Sequence, residues 1–234
     1  MNLEEIISHN IDLMQKNWAE KYRNLSASRI SMRKELRPVL ERYSSGKLLD
    51  AGAGNQVFRD IVEDQCEIYE SLDLKDSEDI SYVQDIRDTD LDSESFDTVF
   101  CRNVLEHIRN PGDALDEMSR ITSQEGKIIL TLPHLAYLHN QPDDYYRFTR
   151  YGVRELVEDT NLQVVEMREA GGLFSFLAYS LSTFGFGIAF SIPIIANILY
   201  YANLPLQHLA ILLDNLTGNK TYFPLNYVIV LSKT

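Results

Sequence analysis

The feature that most constrains this chain is an apolar strand that runs directly into a glycine-rich turn. Residues 48–56 read Leu-Leu-Asp-Ala-Gly-Ala-Gly-Asn-Gln, and residues 57–63 are patterned to begin a helix. Glycine lets the backbone turn sharply, and it lets a ligand come close to the amides of the turn. A strand, a glycine turn and a helix in this order predict a site for a nucleotide-like cofactor.

Acidic residues follow the glycine turn at the end of two further predicted strands. The second strand ends in Leu72-Asp73-Leu74, and the third contains Val83 to Ile86 with Asp85. A carboxylate about twenty residues after such a turn accepts hydrogen bonds from ribose hydroxyls. We expect Asp73, with Leu74 beside it, to hold a ribose, and Asp85 with Ile86 to frame an adenine ring.

The rest of the chain alternates predicted strands and helices. The fifth strand is expected to begin at a glycine turn, at Gly126. The strands after the third are predicted at 95–101, 126–133, 162–167 and 226–232, and the helices between them at about 111–122 and 150–160. Such alternation predicts an α/β fold with a Rossmann-like, doubly wound and mostly parallel sheet of seven strands.

These segments together resemble the class I S-adenosylmethionine-dependent methyltransferases, and among them the methyltransferase type 11 group. That group carries a Leu-Glu-His signature after its fourth strand, here residues 105–107, and the resemblance covers about 46–169 and the last strand. It implies an antiparallel last strand, S-adenosyl-L-methionine as cofactor and methyl transfer as activity. We expect Asp50, Gly52 and Gly54 to shape the methionine side of the cofactor site. The resemblance implies that Asn103 closes over the sulfonium.

A nicotinamide-dependent oxidoreductase is the alternative within this fold, because it uses the same glycine turn and the same acid. Val57 disfavours it, since the dinucleotide fingerprint needs a small residue there. The pair Tyr43 and Lys47 precedes the turn, whereas reductases of this shape carry a Tyr-x-x-x-Lys pair much later. Gln56 departs from the methyltransferase pattern, in which a third glycine is common.

Histidines follow the fourth and fifth strands, at the edge where open α/β sheets bind ligands. His134 is the preferred catalytic base, because it follows the fifth strand immediately and imidazole titrates near neutral pH. His107 is the second candidate, with a catalytic role or a structural role in fixing its loop. Residues 139–149 are predicted to recognise a hydroxylated ring, and Thr149 is also expected to cap a helix that begins near Arg150; both can be true at once. The candidate substrate-binding residues are His139, Asp143, Tyr145, Tyr146 and Arg147.

The composition disfavours a nucleic-acid partner and a metal site. The net charge is -13 at pH 7, whereas nucleic-acid binders cluster Lys and Arg against phosphates. Cys66 and Cys101 are expected to be buried thiols, and they lack metal-ligand spacing. The acidic start of the chain does not resemble a signal peptide. We expect a cytoplasmic protein without nucleic acid and without a metal.

Residues 1–45 are predicted to form a helical cap ahead of a methyltransferase domain at 46–234. One helix is expected near Leu3 to Tyr22, with Met14 and Trp18 among its apolar residues, and a second ends in 38–43. Amphipathic spacing shows only that one helix face is buried. The cap therefore either covers the cofactor pocket or serves structural packing alone.

A hydrophobic insert at 171–223 departs from the standard domain. Residues 171–213 contain no Asp, Glu, Lys or Arg, and a membrane span needs about 20 apolar residues. A single membrane crossing is excluded because both flanking strands belong to one sheet. Two crossings are disfavoured because Asn197 and Gln207 would be costly in the hydrocarbon of the second span. We expect a helical hairpin beside the active site. It either touches the inner face of the membrane or walls the site, or it is buried against the domain or in a homodimer through 171–213.

The predicted reaction is O-methylation of a glycan, a lipid-linked acceptor or a small hydrophobic acceptor. Oxygen is favoured because His134 and the acidic loop after it suit deprotonation of a hydroxyl, while nitrogen and carbon acceptors stay open. The alternative outside the enzymes is a noncatalytic, membrane-associated module that binds the cofactor and recruits partners through the hairpin.

Overall fold

The computed structural model describes residues 2–17 and 26–234. The predicted helical segment from Trp18 to Tyr22 lies outside the described residues. The chain divides into two compact units. One contains Met1–Lys34 and Glu169–Leu225, and the other contains Glu35–Arg168 and Asn226–Thr234.

The second unit is built on a seven-stranded sheet in the order β3-β2-β1-β4-β5-β7-β6. Strands β1 to β5 pair in parallel, and β7 runs antiparallel to β5. The predicted fold class is therefore confirmed, including the antiparallel last strand. The strands are β1 Lys47–Ala51, β2 Ile68–Asp73, β3 Tyr82–Val83, β4 Phe96–Arg102, β5 Thr122–Pro133, β6 Leu162–Ala170 and β7 Asn226–Lys233.

Helices flank these strands along the chain. Pro111 opens the fourth helix, and the residues buried on one side of that helix include Ala114, Leu115, Met118 and Ile121, which join the strand residues in one core. Burying a large apolar side chain contributes about 1.5–3 kcal/mol. The helices up to this point are α1 Leu3–Asn17, α2 Ala27–Tyr43, α3 Arg59–Val62 and α4 Pro111–Ile121, and α5 is Arg150–Glu158.

Gly126 lies inside β5, so the prediction of a glycine turn at the start of this strand is wrong. A Cβ at Gly126 would lie 2.9 Å from the carbonyl oxygen of Asp97 and 2.6 Å from Cγ2 of Thr122. The glycine is needed because β4 approaches β5 closely there, at a point where their register shifts. β5 thus begins at Thr122, before Gly126, and runs through the glycine.

The first unit contains α1 and the helical hairpin predicted from the insert, which consists of α6 Leu173–Ala189 and α7 Pro193–Thr217. Phe186, Phe190 and Ala196 form a small core. The polar residues of α7 are used inside the unit. Gln207 accepts a hydrogen bond from the Ala27 amide and donates one to the Ala178 carbonyl, and Asp214 accepts from the first-turn amides of α6.

Large apolar side chains stay exposed along the hairpin. Among the residues that the structure describes, no helix is both long enough and apolar enough to cross a membrane. An exposed apolar surface of this kind is typical of a docking surface. Its most exposed large side chains on the two helices are Leu181, Ile194, Ile198, Tyr201 and Leu216.

Candidate functional site

The glycine turn after β1 has the conformation and the open space that a bound ligand needs. Gly52 and Gly54 both have left-handed backbones, with φ of 74° and 52°. A Cβ at Gly52 would lie 2.3 Å from Cγ2 of Val104, so the glycine is required by close packing. A Cβ at Gly54 would meet nothing within 4 Å. The turn is therefore fixed on one side and open on the other.

Gln56, which departs from the expected pattern of glycines, has a left-handed backbone within the turn. Its φ is 46°, in the left-handed region that glycine favours. The Gln56 amide donates to the Ala53 carbonyl at 2.8 Å, and its side chain donates to the Asp79 carbonyl at 2.7 Å. These bonds hold a conformation that the residue itself disfavours.

Asp73 lies at the end of β2 and is tied to the glycine turn. Its Oδ2 accepts from the Gly54 amide at 2.8 Å, and its Oδ1 accepts from the Lys75 amide at 2.9 Å. Each carboxylate oxygen has two lone pairs, so both can accept a further hydrogen bond. The partly exposed carboxylate thus fits two neighbouring hydroxyl groups such as those of a ribose. Leu74 beside it is 69% exposed.

Asp50 is buried at the end of β1 and accepts a hydrogen bond from the Tyr69 hydroxyl at 2.7 Å. Burial raises its pKa to about 6, and the hydrogen bond from Tyr69 and the charge of Arg102 oppose this shift only in part. Tyr69 and Arg102 are missing from the sequence-based site, because their approach to Asp50 depends on the register of neighbouring strands.

The third strand is shorter than predicted, because β3 ends at Val83. Residues 85–88 form a turn closed by a hydrogen bond from the Asp88 amide to the Asp85 carbonyl at 3.1 Å. The Asp85 carboxylate pairs with Arg87, and this pairing lowers the Asp85 pKa. Ile86 is buried in the core. Contact of Asp85 and Ile86 with an adenine stays a prediction.

Asn103 connects the ends of β4 and β5. Its backbone is left-handed, with φ of 51°, and its amide donates to the Thr131 carbonyl at 2.9 Å. The Thr131 hydroxyl donates to Asn103 Oδ1 at 2.7 Å. Two hydrogen bonds therefore orient Asn103 at the ligand edge of the sheet.

Glu106, His107 and His139 form a cluster that the sequence analysis did not assemble. Glu106 is fully buried in the short 3-10 helix Leu105–His107. The Nε2 atoms of His107 and His139 each lie 3.8 Å from Glu106 Oε1, and the two rings are 4.9 Å apart. Within the described residues, neither carboxylate oxygen of Glu106 has a hydrogen-bond partner.

The loop between β5 and α5 is held by an ion pair. Both guanidinium nitrogens Nη1 and Nη2 of Arg147 lie 2.7 Å from an oxygen of Asp144, and Nη2 also donates to the Tyr137 carbonyl. Asp144 accepts from the His139 amide at 2.8 Å. Arg147 holds the pKa of Asp144 well below its usual range. Arg147 therefore organises the loop, in addition to its predicted role in binding substrate.

Aromatic residues of the same loop contact the segment after the Leu-Glu-His signature. The Tyr145 hydroxyl bonds Asp143 Oδ1 and receives a hydrogen bond from Arg109 Nε at 3.0 Å. The Tyr146 hydroxyl donates to the Arg109 carbonyl at 2.6 Å. Three of the predicted substrate-binding residues, Asp143, Tyr145 and Tyr146, are thus brought together around Arg109.

His134 begins this loop at the end of β5. Its Nδ1 lies 2.8 Å from the Phe148 carbonyl oxygen, which can accept a hydrogen bond but cannot donate one. Nδ1 therefore carries the hydrogen, and Nε2 keeps its lone pair. The Thr149 hydroxyl accepts from the Gly152 amide at 3.0 Å, which confirms Thr149 as the cap of α5.

Residues 47–130 match the profile of a family described as a methyltransferase domain. A search of curated proteins finds no match. Similar solved structures include the 4+2 cyclase SpnF, which is 13% identical, with a TM-score of 0.57 over 85% of this chain and 80% of its own. At such identity the likeness shows the fold alone.

Two methyltransferases of known structure are similar to the same degree. The 1,6-didemethyltoxoflavin N1-methyltransferase of Burkholderia thailandensis, solved with S-adenosylhomocysteine, is 12% identical, with a TM-score of 0.56 over 99% of this chain and 88% of its own. Coclaurine N-methyltransferase is 14% identical, with a TM-score of 0.55 over 87% of this chain and 70% of its own. The family match favours a methyltransferase over the oxidoreductase alternative.

Proposed function

We propose that this chain, which belongs to the class I S-adenosylmethionine-dependent methyltransferases, methylates an oxygen atom of a hydroxylated acceptor. The acceptor is a glycan, a lipid-linked molecule or a small hydrophobic compound. The observation that carries the oxygen assignment is the fixed tautomer of His134, whose Nδ1 faces the Phe148 carbonyl. A hydroxyl must lose a proton to become a methyl acceptor, and Nε2 of His134 is able to take it.

The residues at the ends of β1, β2 and β4 fit the cofactor. S-adenosylmethionine supplies an activated methyl group when it is bound. We assign its ribose to Asp73, whose two oxygens are already oriented by the amides of Gly54 and Lys75. We assign its methionine moiety to Asp50, Gly52 and Gly54, and the neighbourhood of the sulfonium to Asn103. Asp85 and Ile86 are the proposed adenine contacts.

The loop after His134 is proposed to bind the acceptor. It carries the imidazole of His139, the phenols of Tyr145 and Tyr146 and the carboxylate of Asp143, which suit hydrogen bonds to several hydroxyl groups. Its ion pair between Asp144 and Arg147 holds the loop in place, so less ordering is required when the acceptor binds. We assign the acceptor to His139, Asp143, Tyr145, Tyr146 and Arg147, with His107 as the second candidate for proton transfer.

The exposed apolar side chains of the hairpin formed by α6 and α7 favour a lipid-linked or small hydrophobic acceptor. Its exposed side chains include Leu181, which is 65% exposed, and Ile194, which is 75% exposed. Surfaces of this kind contact lipids, apolar ligands or other protein chains. A lipid-linked acceptor, peripheral contact with the inner face of a membrane and a homodimer through 171–213 are the three uses that we propose for it.

Transfer of a labelled methyl group tests the proposal. Purified protein is incubated with methyl-labelled S-adenosylmethionine and either a lipid extract or a set of hydroxylated aromatic compounds and glycans. We expect a methyl ether as the product, and we expect His134→Gln to reduce kcat by about 100-fold or more, the range typical of a general base. The exposed His208 in α7 gives a matched control, His208→Gln, with unchanged turnover.

Other outcomes would change the assignment in defined ways. Methylamine or C-methyl products would move the reaction to another acceptor atom, and full turnover by His134→Gln would place the base elsewhere. Cofactor binding without turnover on any acceptor would favour the noncatalytic module.

A further inference from the structure

We propose that Glu106, His107 and His139 bind a divalent transition-metal ion of the zinc type. The sequence predicts no metal here, because the two cysteines lack metal-ligand spacing and the two histidines are far apart in the chain. The fold brings them together at the ends of β4 and β5. One ligand atom from each of the three residues lies within 4.8 Å of the other two.

The buried carboxylate is the first observation that points to a cation. Glu106 is fully buried, and neither of its side-chain oxygens has a hydrogen-bond partner in the part of the chain that the structure describes. An ionised carboxylate without a partner is costly to bury. Its ion-pair partners among the described residues are the two imidazoles, which face it through Nε2. A metal ion between them would satisfy all three groups.

The orientation of both imidazoles is the second observation. His107 Nδ1 faces the Asp143 carbonyl, and His139 Nδ1 lies 3.2 Å from the Tyr137 carbonyl. A carbonyl accepts a hydrogen bond, so each Nδ1 carries the hydrogen and each Nε2 directs a lone pair toward Glu106. Metal-binding histidines are held in this way, with the second ring nitrogen donating to a carbonyl or a carboxylate.

Two neighbouring donors offer a different explanation of the cluster. Asn140 Nδ2 lies 3.4 Å from His107 Nε2, and Arg147 Nη2 lies 3.4 Å from His139 Nδ1. Both separations are long for hydrogen bonds. The competing arrangement is a proton in place of the metal, shared between His139 and Glu106.

The donor set selects the class of metal. Two imidazoles and one carboxylate bind zinc and other first-row transition metals, whereas magnesium and calcium prefer oxygen ligands alone. Ligand atoms about 2.1 Å from a tetrahedral zinc ion are about 3.4 Å apart. The two 3.8 Å separations from Glu106 Oε1 need to shrink by a few tenths of an ångström, and the separation between the two imidazole nitrogens, which is within 4.8 Å, needs to shrink by up to about 1.4 Å. Three protein ligands leave a coordination position open, and in this arrangement His107 serves as a ligand and not as the second candidate base, because its Nε2 is occupied.

The open position gives the metal a role in the reaction, and this step rests on the proposed function. A hydroxyl oxygen that coordinates a divalent cation has a lowered pKa. The hydroxyl proton passes to His134, the oxygen forms a bond to the methyl carbon, and the carbon–sulfur bond of the cofactor breaks to leave a thioether. In this scheme the bound ion would lower the pKa of the hydroxyl, and His134 would take its proton.

Zinc binding without cofactor or acceptor tests the site separately from the reaction. Calorimetry with metal-stripped protein is expected to show one zinc ion per chain in wild type and in the control His208→Asn. Glu106→Gln and His139→Asn are expected to weaken binding by at least about 100-fold, since even outer partners of metal ligands contribute about 10–100-fold. Circular dichroism establishes that each variant is folded.

Cobalt(II) provides a second measurement on the wild type alone. Nitrogen and oxygen ligation gives visible bands without the thiolate charge-transfer band that a cysteine ligand would produce. Absence of zinc and cobalt binding in the wild type, or unchanged zinc affinity in Glu106→Gln, would overturn the site and favour the shared proton. Zinc binding with methyl transfer that does not depend on metal would keep the site and overturn only its role in the reaction.

Discussion

The two sides of the proposed active site are built in different ways. The cofactor side is shaped mainly by backbone, with the left-handed residues Gly52, Gly54 and Gln56, and backbone amides orient the carboxylate of Asp73. The acceptor side, from His134 to Thr149, consists of side chains that hold one another, above all Asp144 and Arg147. Backbone shape at a glycine turn is visible in the sequence, whereas a network of side chains depends on contacts made by the fold. The cofactor side therefore resembles a known family, whereas the acceptor side is specific to this chain.

The largest effect is expected for Gly52→Ala in the glycine turn. The new Cβ would lie 2.3 Å from Cγ2 of Val104, and the residue would keep a φ of 74°. Crowding and left-handed strain together are expected to lower the free energy of unfolding by about 3–4 kcal/mol. Urea unfolding without ligand measures it.

Gly54→Ala is the matched control, because its Cβ would meet nothing within 4 Å and only the backbone strain of about 1–2 kcal/mol applies. Equal losses in the two variants would contradict the claim that Val104 requires a glycine at position 52.

The stability of Asp50→Asn relative to wild type, measured as a function of pH, tests whether the Asp50 carboxyl is buried at the end of β1. Burial raises the Asp50 pKa from 3.8 to about 6, so the folded state holds the proton more tightly than the unfolded state. This contribution is fully present below pH 3.8 and is lost as the pH rises through 6. Relative to wild type, Asp50→Asn is expected to gain at most about 3 kcal/mol between pH 4 and pH 7.

Denaturant unfolding at several pH values measures the difference between the two proteins. Asp79→Asn, at a carboxylate that is 76% exposed, is the control and should show no such trend. A constant difference between Asp50→Asn and wild type across this range would mean that Asp50 is not desolvated.

Asp144→Asn tests whether side chains alone hold the acceptor loop. The substitution weakens the pairing with Arg147 and removes the charge near the His139 amide. Because Arg147 is partly exposed, we expect a loss of about 2 kcal/mol, below the range for a fully buried pair. The loss should be local, so hydrogen exchange should speed up across 134–149 while the glycine turn keeps its protection.

Asp143→Asn, at an exposed neighbour, is the comparison for this loop. Uniformly faster exchange over the whole sheet in Asp144→Asn would contradict a separate acceptor side.

The smallest effect is expected for Gln56→Gly. Relief of the left-handed backbone, worth about 1 kcal/mol, is offset by the entropy of the added glycine and by the lost hydrogen bond to the Asp79 carbonyl. We therefore expect a change within about 0.5 kcal/mol in thermal or urea unfolding. Gln56→Val, a β-branched residue at the same φ, should lose about 2 kcal/mol. If Gln56→Val were as stable as wild type, the backbone of the turn would differ from the one described.

The sequence was sufficient for most of the sheet, because apolar runs bounded by turns fix where strands lie. β1, β4 and β7 are found within one or two residues of their predicted bounds. The predicted turn at Gly126 was wrong, because a glycine can serve either a turn or the close approach of two strands. Only the position of Asp97 in the fold decides between the two. The turn at 85–88 was missed because Asp85 and Ile86 were assigned to the third strand, whereas the Asp88 amide closes a turn on the Asp85 carbonyl.

The candidate site residues also divide into those found from local sequence order and those that depend on contacts made by the fold. Asp73 and the glycines were found because their spacing follows from the local order of strand, turn and helix. The contact of Tyr69 with Asp50 was not found, because it depends on the register of two strands. The position of Glu106 beside two imidazoles was not found either, because it depends on the path of the whole loop. His107 and His139 were each named as candidates, but their meeting is a property of the fold.

Binding of S-adenosylmethionine tests the central claim most directly. Isothermal titration compares this ligand, S-adenosylhomocysteine and a nicotinamide dinucleotide on wild type, Asp73→Asn and the exposed control Asp79→Asn. The account predicts micromolar binding of the first two ligands, a loss of at least about tenfold in Asp73→Asn, equivalent to 1.4 kcal/mol, and no change in Asp79→Asn. No binding of S-adenosylmethionine, or binding of the dinucleotide alone, would contradict it.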